Sequence, residues 1–213
     1  MAEQKTIDAV KQAIQSSKAR KFKESVELSV NLKDIDLSVP KNRIEDDILL
    51  PKGRGKEVRV AIFGSGEIAL RAKGKVDRII QPNEIEEIAG DKKKAKALAA
   101  EFNFFIAEAP LMPTIGKRLG AIFAPRGKMP RPIPPQIQDI TALVNNLRST
   151  IRIRTKDRRT FHLPVGTKEM SPEDIAENID AAIKKILGRL EKGKHQIASV
   201  YVKTTMGPAV KLL

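Results

Sequence analysis

The sequence predicts an α/β protein in two parts: an open-faced α+β sandwich assembled from both termini, and a three-layer parallel α/β domain inserted between them. Three observations carry this prediction. Both ends alternate apolar and polar residues, as strands covered on one face do. The middle holds nearly continuous apolar runs, as strands buried on both faces do. Helical patterns separate those runs, the rhythm of a parallel sheet.

Taken in order, Thr6 stands as the N-cap of a first helix whose Ile7, Val10 and Ile14 share one face. Ser25–Leu32 alternates Val26, Leu28, Val30 and Leu32 against Glu27, Ser29 and Asn31, so it reads as a half-buried strand. A second strand spans Arg43–Leu50, ahead of the breakers Pro51-Lys52-Gly53-Arg54-Gly55, which read as a flexible basic linker. Val58, Val60, Ala61, Ile62 and Phe63 form the first fully buried strand. Val76–Ile80 and Phe104–Ala107 follow as further strands, and Ile137–Leu147 as a helix. Pro125–Pro135, with five prolines, reads as an extended surface loop.

After Ser149 the two-residue alternation returns. Ile151–Arg154 and Thr160–Leu163 flank the polar run Lys156-Asp157-Arg158-Arg159, the pattern of a hairpin. Ser171-Pro172-Glu173-Asp174 is a helix start with cap, proline and carboxylate in place, and Gly193 is its expected end. Ser199–Lys203 is a last strand. Domain boundaries follow from the change of period: residues 1–53 and 151–213 form one discontinuous α+β domain, and residues 54–150 an inserted Rossmann-like domain whose two crossings act as a hinge.

Composition narrows function. Among 213 residues, 40 Lys and Arg against 26 Asp and Glu leave a net charge of +14, which calls for a polyanionic partner. From Gly116 to Thr160 eleven basic residues face only Asp139 and Asp157, a local surplus that reads as a binding face. No strongly basic amphipathic helix points to a lipid surface, and no apolar run reaches the roughly 18 residues of a membrane span. The N-terminal residues lack a secretory apolar stretch, so the expected compartment is cytoplasmic. With no cysteine and only His162 and His195, neither a disulfide framework nor a metal site is expected.

Catalysis finds few groups to work with. Gly64-Ser65-Gly66 follows a strand and precedes a helix, but Ala69 stands where a dinucleotide fingerprint has its third glycine. A tight turn needs glycine whatever it binds, so no cofactor is expected. Gly53-Arg54-Gly55-Lys56 fails phosphate-loop spacing, and Glu57 replaces the hydroxyl residue. His162, between Phe161 and Leu163, suits packing or a simple hydrogen bond. The chain is read as not an enzyme; the rivals to RNA binding are a nucleotide-using enzyme, a DNA-binding protein and a protein-interaction module.

Two motifs point to RNA. Lys21-Phe22-Lys23-Glu24 sets an aromatic between cations just before the first strand; composition leaves Phe22 either a core plug or an exposed platform. Thr204-Thr205-Met206-Gly207-Pro208-Ala209 offers a hydroxyl, a flat apolar side chain and a glycine, which suit the wide minor groove of RNA with its 2′-hydroxyls. Taken alone, an ordinary strand-ending turn is the favoured reading of that second motif.

Lys21-Phe22-Lys23-Glu24, Leu50-Pro51-Lys52-Gly53-Arg54-Gly55-Lys56, Leu119-Gly120 with Pro125-Arg126-Gly127-Lys128-Met129-Pro130, His162-Leu163-Pro164-Val165-Gly166 and Tyr201 through Pro208 occur in family order. Together they resemble, end to end, the family of ribosomal protein one of the large subunit, which forms the mobile side stalk, and its archaeal members in particular. Ala124 departs from the glycine usual before Pro-Arg-Gly, a departure that touches the inserted domain only. The resemblance implies two hinged domains, the first made from both termini and bound to large-subunit ribosomal RNA. It further implies repression of translation through the protein's own mRNA, and a stalk that moves with deacylated tRNA leaving the exit site. By position, the implied RNA-binding residues are Lys21, Phe22, Thr205, Met206 and Gly207, with Arg154, Asp157, His162 and Ser199 as further candidates. Lys21 and Arg154 would contact phosphates, Thr205 a 2′-hydroxyl or base edge. A monomer is expected when RNA is absent. The basic loop Arg126–Arg131 touches tRNA or ribosomal RNA, or is merely solvated; the sequence leaves all three open.

Overall fold

A computed structural model describes residues 3–133 and 139–213. In chain order the elements are α1 (Gln4–Gln15), β1 (Ser25–Leu32), β2 (Glu45–Leu49), β3 (Val60–Phe63), α2 (Gly66–Ala72), β4 (Arg78–Ile80), α3 (Pro82–Gly90), α4 (Lys92–Glu101) and β5 (Phe104–Glu108). They continue as α5 (Met112–Phe123), β6 (Arg131–Ile133), α6 (Ile140–Arg148), β7 (Thr150–Arg154), β8 (Thr160–Thr167), α7 (Pro172–Leu187), β9 (Ile197–Thr204) and β10 (Ala209–Lys211). Two compact units result, Met1–Lys56 with Ser149–Leu213, and Glu57–Arg148.

In the first unit an antiparallel sheet runs in the order β10-β9-β1-β8. Its inward residues, among them Val26, Leu28, Val30, Leu163, Val165, Val200 and Val202, pack with Val10 and Ala13 of α1 and Ile175, Ile179 and Ile186 of α7. Both helices therefore cover one face, and burying their apolar stripes is what holds the unit together. β2 and β7 form a separate two-stranded ladder whose Ile48, Ile151 and Ile153 join the same core.

Several local expectations change. β7 and β8 do not form a hairpin: β7 pairs with β2, and β8 with β1. The cause lies at Thr155, which is buried, accepts the Ile44 N–H at its hydroxyl (3.0 Å) and donates its own N–H to the Ile44 carbonyl (3.1 Å). Lys156 then turns the chain away at φ +47°. Ser171 does cap α7, accepting the Asp174 N–H at 3.1 Å, but the helix stops at Leu187, where bonds between residues three apart tighten the chain from Arg189 to Gly193. α1 begins at Gln4 with Glu3 as its N-cap; Thr6 is buried inside the helix and caps nothing.

The second unit is a parallel sheet in the order β4-β3-β5-β6. Alternate residues of β3 serve two cores. Ala61 and Phe63 pack with α3, α4 and α5, while Val60 and Ile62 pack with α2 and α6. That division is why the run reads as continuously apolar. On the first side Phe105 stacks on Phe123 at 4.7 Å between ring centroids, with Phe63 at 5.9 Å. The proline-rich stretch contributes an element after all: Arg131–Ile133 pairs with β5 as an edge strand, where Pro132 needs no donor on its outer side. The expected helix appears as α6 from Ile140; Ile137, Pro134 and Pro135 lie outside the described residues.

The Pro-Arg-Gly-Lys motif has a structural task here. Gly127 sits at φ +66°, and the Lys128 ammonium donates to the carbonyls of Ala99 (2.6 Å) and Phe102 (2.7 Å) at the C-terminal end of α4. Burial, and secondarily Arg126, hold the Lys128 ammonium below the usual lysine range. Lys128→Met, which keeps the stem but removes both charged bonds, is expected to cost about 1.5–3 kcal/mol. Thermal unfolding followed by circular dichroism measures this; an unchanged melting temperature would remove Lys128 from the cap.

Candidate nucleic-acid interface

The turn between β9 and β10 is laced to the first residues of β1. The Thr205 N–H donates to the Ser25 carbonyl (3.0 Å), and the Thr205 hydroxyl both accepts the Ser25 N–H (3.2 Å) and donates to that carbonyl (3.3 Å). Next, the Met206 N–H donates to Oε1 of Glu24 (3.1 Å), and the Gly207 N–H to the Thr204 carbonyl (3.2 Å). Residues 180 apart in sequence are thereby fixed side by side.

Two large apolar side chains stand out of this junction. Phe22 is 53% exposed and Met206 60% exposed, so Phe22 is not a core plug. Glu24, two residues past Phe22, carries the bond to Met206, which sets the two exposed side chains on neighbouring segments. Lys21 is exposed and has no ion pair among the described residues, whereas Lys23 is paired with Glu169. An exposed apolar patch beside a free cation is an arrangement suited to a nucleic acid's sugar edge and phosphate.

Gly207 has an intramolecular reason to be glycine. A Cβ there would collide with the buried Thr204 hydroxyl and lie 3.1 Å from Cβ of Ser17. The Thr205 hydroxyl likewise spends its proton on Ser25, so toward a ligand it is left chiefly as an acceptor.

His162 and Ser199 fall on the sheet face that α1 and α7 leave uncovered. Directly opposed pairs set Tyr201, Ser29 and His162 in one row, and Ser199, Asn31 and Thr160 in the next. In the second row Thr160 donates to Asn31 Oδ1 (2.7 Å), and Asn31 Nδ2 donates to Ser199 Oγ (2.8 Å). The alternation sets Ser29 and Asn31 on the polar side of β1 but does not single them out, nor Tyr201 and Thr160, as site residues.

Arg154 and Asp157 are not brought to the patch. They line a cleft of about 250 Å³ with Arg43, Glu45 and Lys156. β1's eight residues separate its Ser25 end from that region, a strand length of about 25 Å. Arg154 is paired with Glu45 (3.6 Å) and Asp157 with Arg43 (2.9 Å).

The second unit offers weaker ground for a ligand. At Gly64-Ser65-Gly66 the Glu108 carboxylate accepts the Ser65 N–H (2.5 Å) and hydroxyl (3.1 Å), so an anion of the chain's own occupies the turn a phosphate would need. In the basic loop Arg126 donates to the Lys96 carbonyl, Lys128 caps α4, and Arg131 lies over the Phe104 ring at 5.6 Å. Nor is the Lys52–Gly55 stretch a loose linker: Asn178 accepts the Lys52 N–H and donates to the Gly53 carbonyl, and the Lys52 ammonium pairs with Asp174 and Glu177. Among the described residues no cluster of His, Cys, Asp and Glu is placed to hold a metal, and no helix is long and apolar enough to cross a membrane.

Residues 12–208 match the model of the ribosomal protein L1p/L10e family. A curated relative, the large ribosomal subunit protein uL1 of Methanocella arvoryzae, is 56% identical across 100% of both chains. The proteins of the same name from Thermoplasma volcanium and Pyrococcus horikoshii are 53% and 50% identical, each over 98% of this chain and 94% and 95% of their own length.

Proposed function

Because this chain belongs to the ribosomal protein L1p/L10e family, whose members are structural and not catalytic, we propose that it binds large-subunit ribosomal RNA through its discontinuous first unit. As a component of the large subunit it works in the cytoplasmic ribosome. The observation that supports the RNA surface is that exposed Phe22 and Met206 stand on neighbouring segments joined by the bonds of Thr205 and Met206 to Ser25 and Glu24. Lys21 supplies phosphate contact, Met206 and Phe22 a dry apolar contact, and the Thr205 hydroxyl an acceptor for a 2′-hydroxyl. His162 and Ser199 extend the surface over the open sheet face. Arg154 and Asp157 form a second, separate contact along the same RNA. The two chain crossings between the units, near residues 57 and 148, act as a hinge, which lets the RNA-bound unit move as a side stalk while deacylated tRNA leaves the exit site. A leader in the protein's own mRNA folded to the same shape would use the same patch and so repress its translation.

The test is a competition for the purified chain between a transcript of the stalk region of large-subunit ribosomal RNA and duplex DNA of equal length at physiological salt. Strong preference for the RNA is expected, and equal affinity would return the protein to the class of nonspecific basic binders. Within that assay Met206→Ala is expected to weaken binding about tenfold at every salt concentration. Lys21→Ala should instead flatten the salt slope by about one. The two kinds of loss separate apolar fit from phosphate contact.

A further inference from the structure

We propose that Glu24 is a positioning residue for the RNA patch: it touches no RNA, but holds the Thr205–Gly207 turn in its binding conformation against the Lys21–Phe22 segment. The inference rests on the reading of that patch above. Glu24 is only 2% exposed, which keeps its carboxylate out of a ligand's reach. One oxygen, Oε1, accepts the Met206 N–H at 3.1 Å. The other, Oε2, is buried with no hydrogen-bond donor and lies 4.0 Å from the Lys168 ammonium. That ammonium in turn donates to the carbonyl (3.2 Å) and hydroxyl (2.6 Å) of Ser17 beyond the end of α1. Ser17 is also the residue that a Cβ at position 207 would press on. The Glu24 carbonyl accepts the Lys168 N–H (3.1 Å), so Lys168, and through it Ser17, is tied to the turn by this one residue.

A buried carboxylate with one oxygen lacking a donor lowers stability relative to a fully satisfied group. Its task is therefore sought in what it holds. Met206 presents a flexible apolar side chain to solvent, and an unfixed turn would add the loss of backbone freedom to that of the side chain on binding. A turn fixed in advance removes the first of these losses. Glu24 does the fixing at the backbone of the residue whose side chain makes the contact.

The experiment measures affinity of the full chain for the same ribosomal RNA transcript across a salt series, with thermal unfolding of each variant alongside. Glu24→Gln keeps an oxygen for the Met206 N–H and is expected to bind within about threefold of wild type. Glu24→Ala should bind about tenfold more weakly with an unchanged salt slope, the scale of one lost bond in a dry turn. In a Met206→Ala background the Glu24→Ala loss should shrink to about twofold, because the side chain being positioned is gone. Should Glu24→Ala not fold, Glu24→Asp serves, since it keeps the charge but draws the carboxylate back by one methylene, and about fivefold weakening is expected. Wild-type affinity for Glu24→Ala or Glu24→Asp, a Gln variant as weak as Ala, or full additivity with Met206→Ala each overturns the proposal. If Met206→Ala itself binds like wild type, the patch reading fails instead, and the two failures are distinct.

Discussion

Gly207→Val is expected to weaken binding of large-subunit ribosomal RNA by about two orders of magnitude while leaving the chain folded. Even alanine would push into the Thr204 hydroxyl and Ser17, and valine adds two further methyl groups. Neither neighbour yields easily. Thr204 is wholly buried in β9, and Ser17 is held by the Lys168 ammonium and by its own bond to the Ile14 carbonyl (3.0 Å). The relief must come from the turn, which swings outward and carries Thr205 and Met206 away from Ser25 and Glu24. Overpacking of this kind costs about 1–3 kcal/mol. That strain and the turn bonds given up to relieve it are settled within the free protein; affinity falls because Thr205 and Met206 no longer meet the RNA, two contacts at about 1.4 kcal/mol each, or roughly 100-fold. Titration by calorimetry, with the melting temperature measured in parallel, decides it. Binding within threefold of wild type would mean that the turn is not where RNA sits.

The largest stability effect is expected at Asn178. Its side chain is completely buried in α7, and its amide makes three bonds to backbone: it accepts the Lys52 N–H (3.0 Å) and donates to the carbonyls of Gly53 (2.9 Å) and Val165 (2.8 Å). Asn178→Ala leaves three backbone groups without partners. At about 1 kcal/mol or more for each, the loss is about 3–4 kcal/mol. For a chain of this length that lowers the melting temperature by about 10 °C. The loss belongs to the first unit, since all four residues lie in it, so differential scanning calorimetry should show that unit's transition moving and the other's staying in place. A shift of under 2 °C would show that the amide is replaceable by water. RNA affinity well below the transition should be nearly unchanged, because Asn178 holds the Lys52–Gly53 backbone and not the Thr205–Gly207 turn.

Some of this was legible along the chain. The alternation of Val26, Leu28, Val30 and Leu32 identifies a one-sided strand, and the run Val60–Phe63 a two-sided one, because side-chain direction in a strand repeats every two residues whatever the partner. Ser171-Pro172 marks the start of α7, since capping is settled within one turn. The charge surplus and the Lys-Phe-Lys-Glu and Thr-Met-Gly-Pro motifs point to RNA. The face of β1 turned away from the helices was legible too, since the same alternation sets Glu27, Ser29 and Asn31 on it; Tyr201 joins it by pairing with Ser29.

What only the tertiary structure decided is pairing. β7 prefers β2 to β8 because Thr155 is bonded to Ile44, more than a hundred residues away. Arg131–Ile133 becomes a strand because β5 lies beside it, despite its proline. Lys128, along the chain just one cation of a basic loop, is a helix cap, and Gly207 also leaves room for Thr204 and Ser17. Local propensity and side-chain period depend on neighbours a few residues away, so they can be read in order along the chain. A hydrogen bond between Glu24 and Met206 depends on where the sheet brings two distant strands, and no pattern within either segment carries that information.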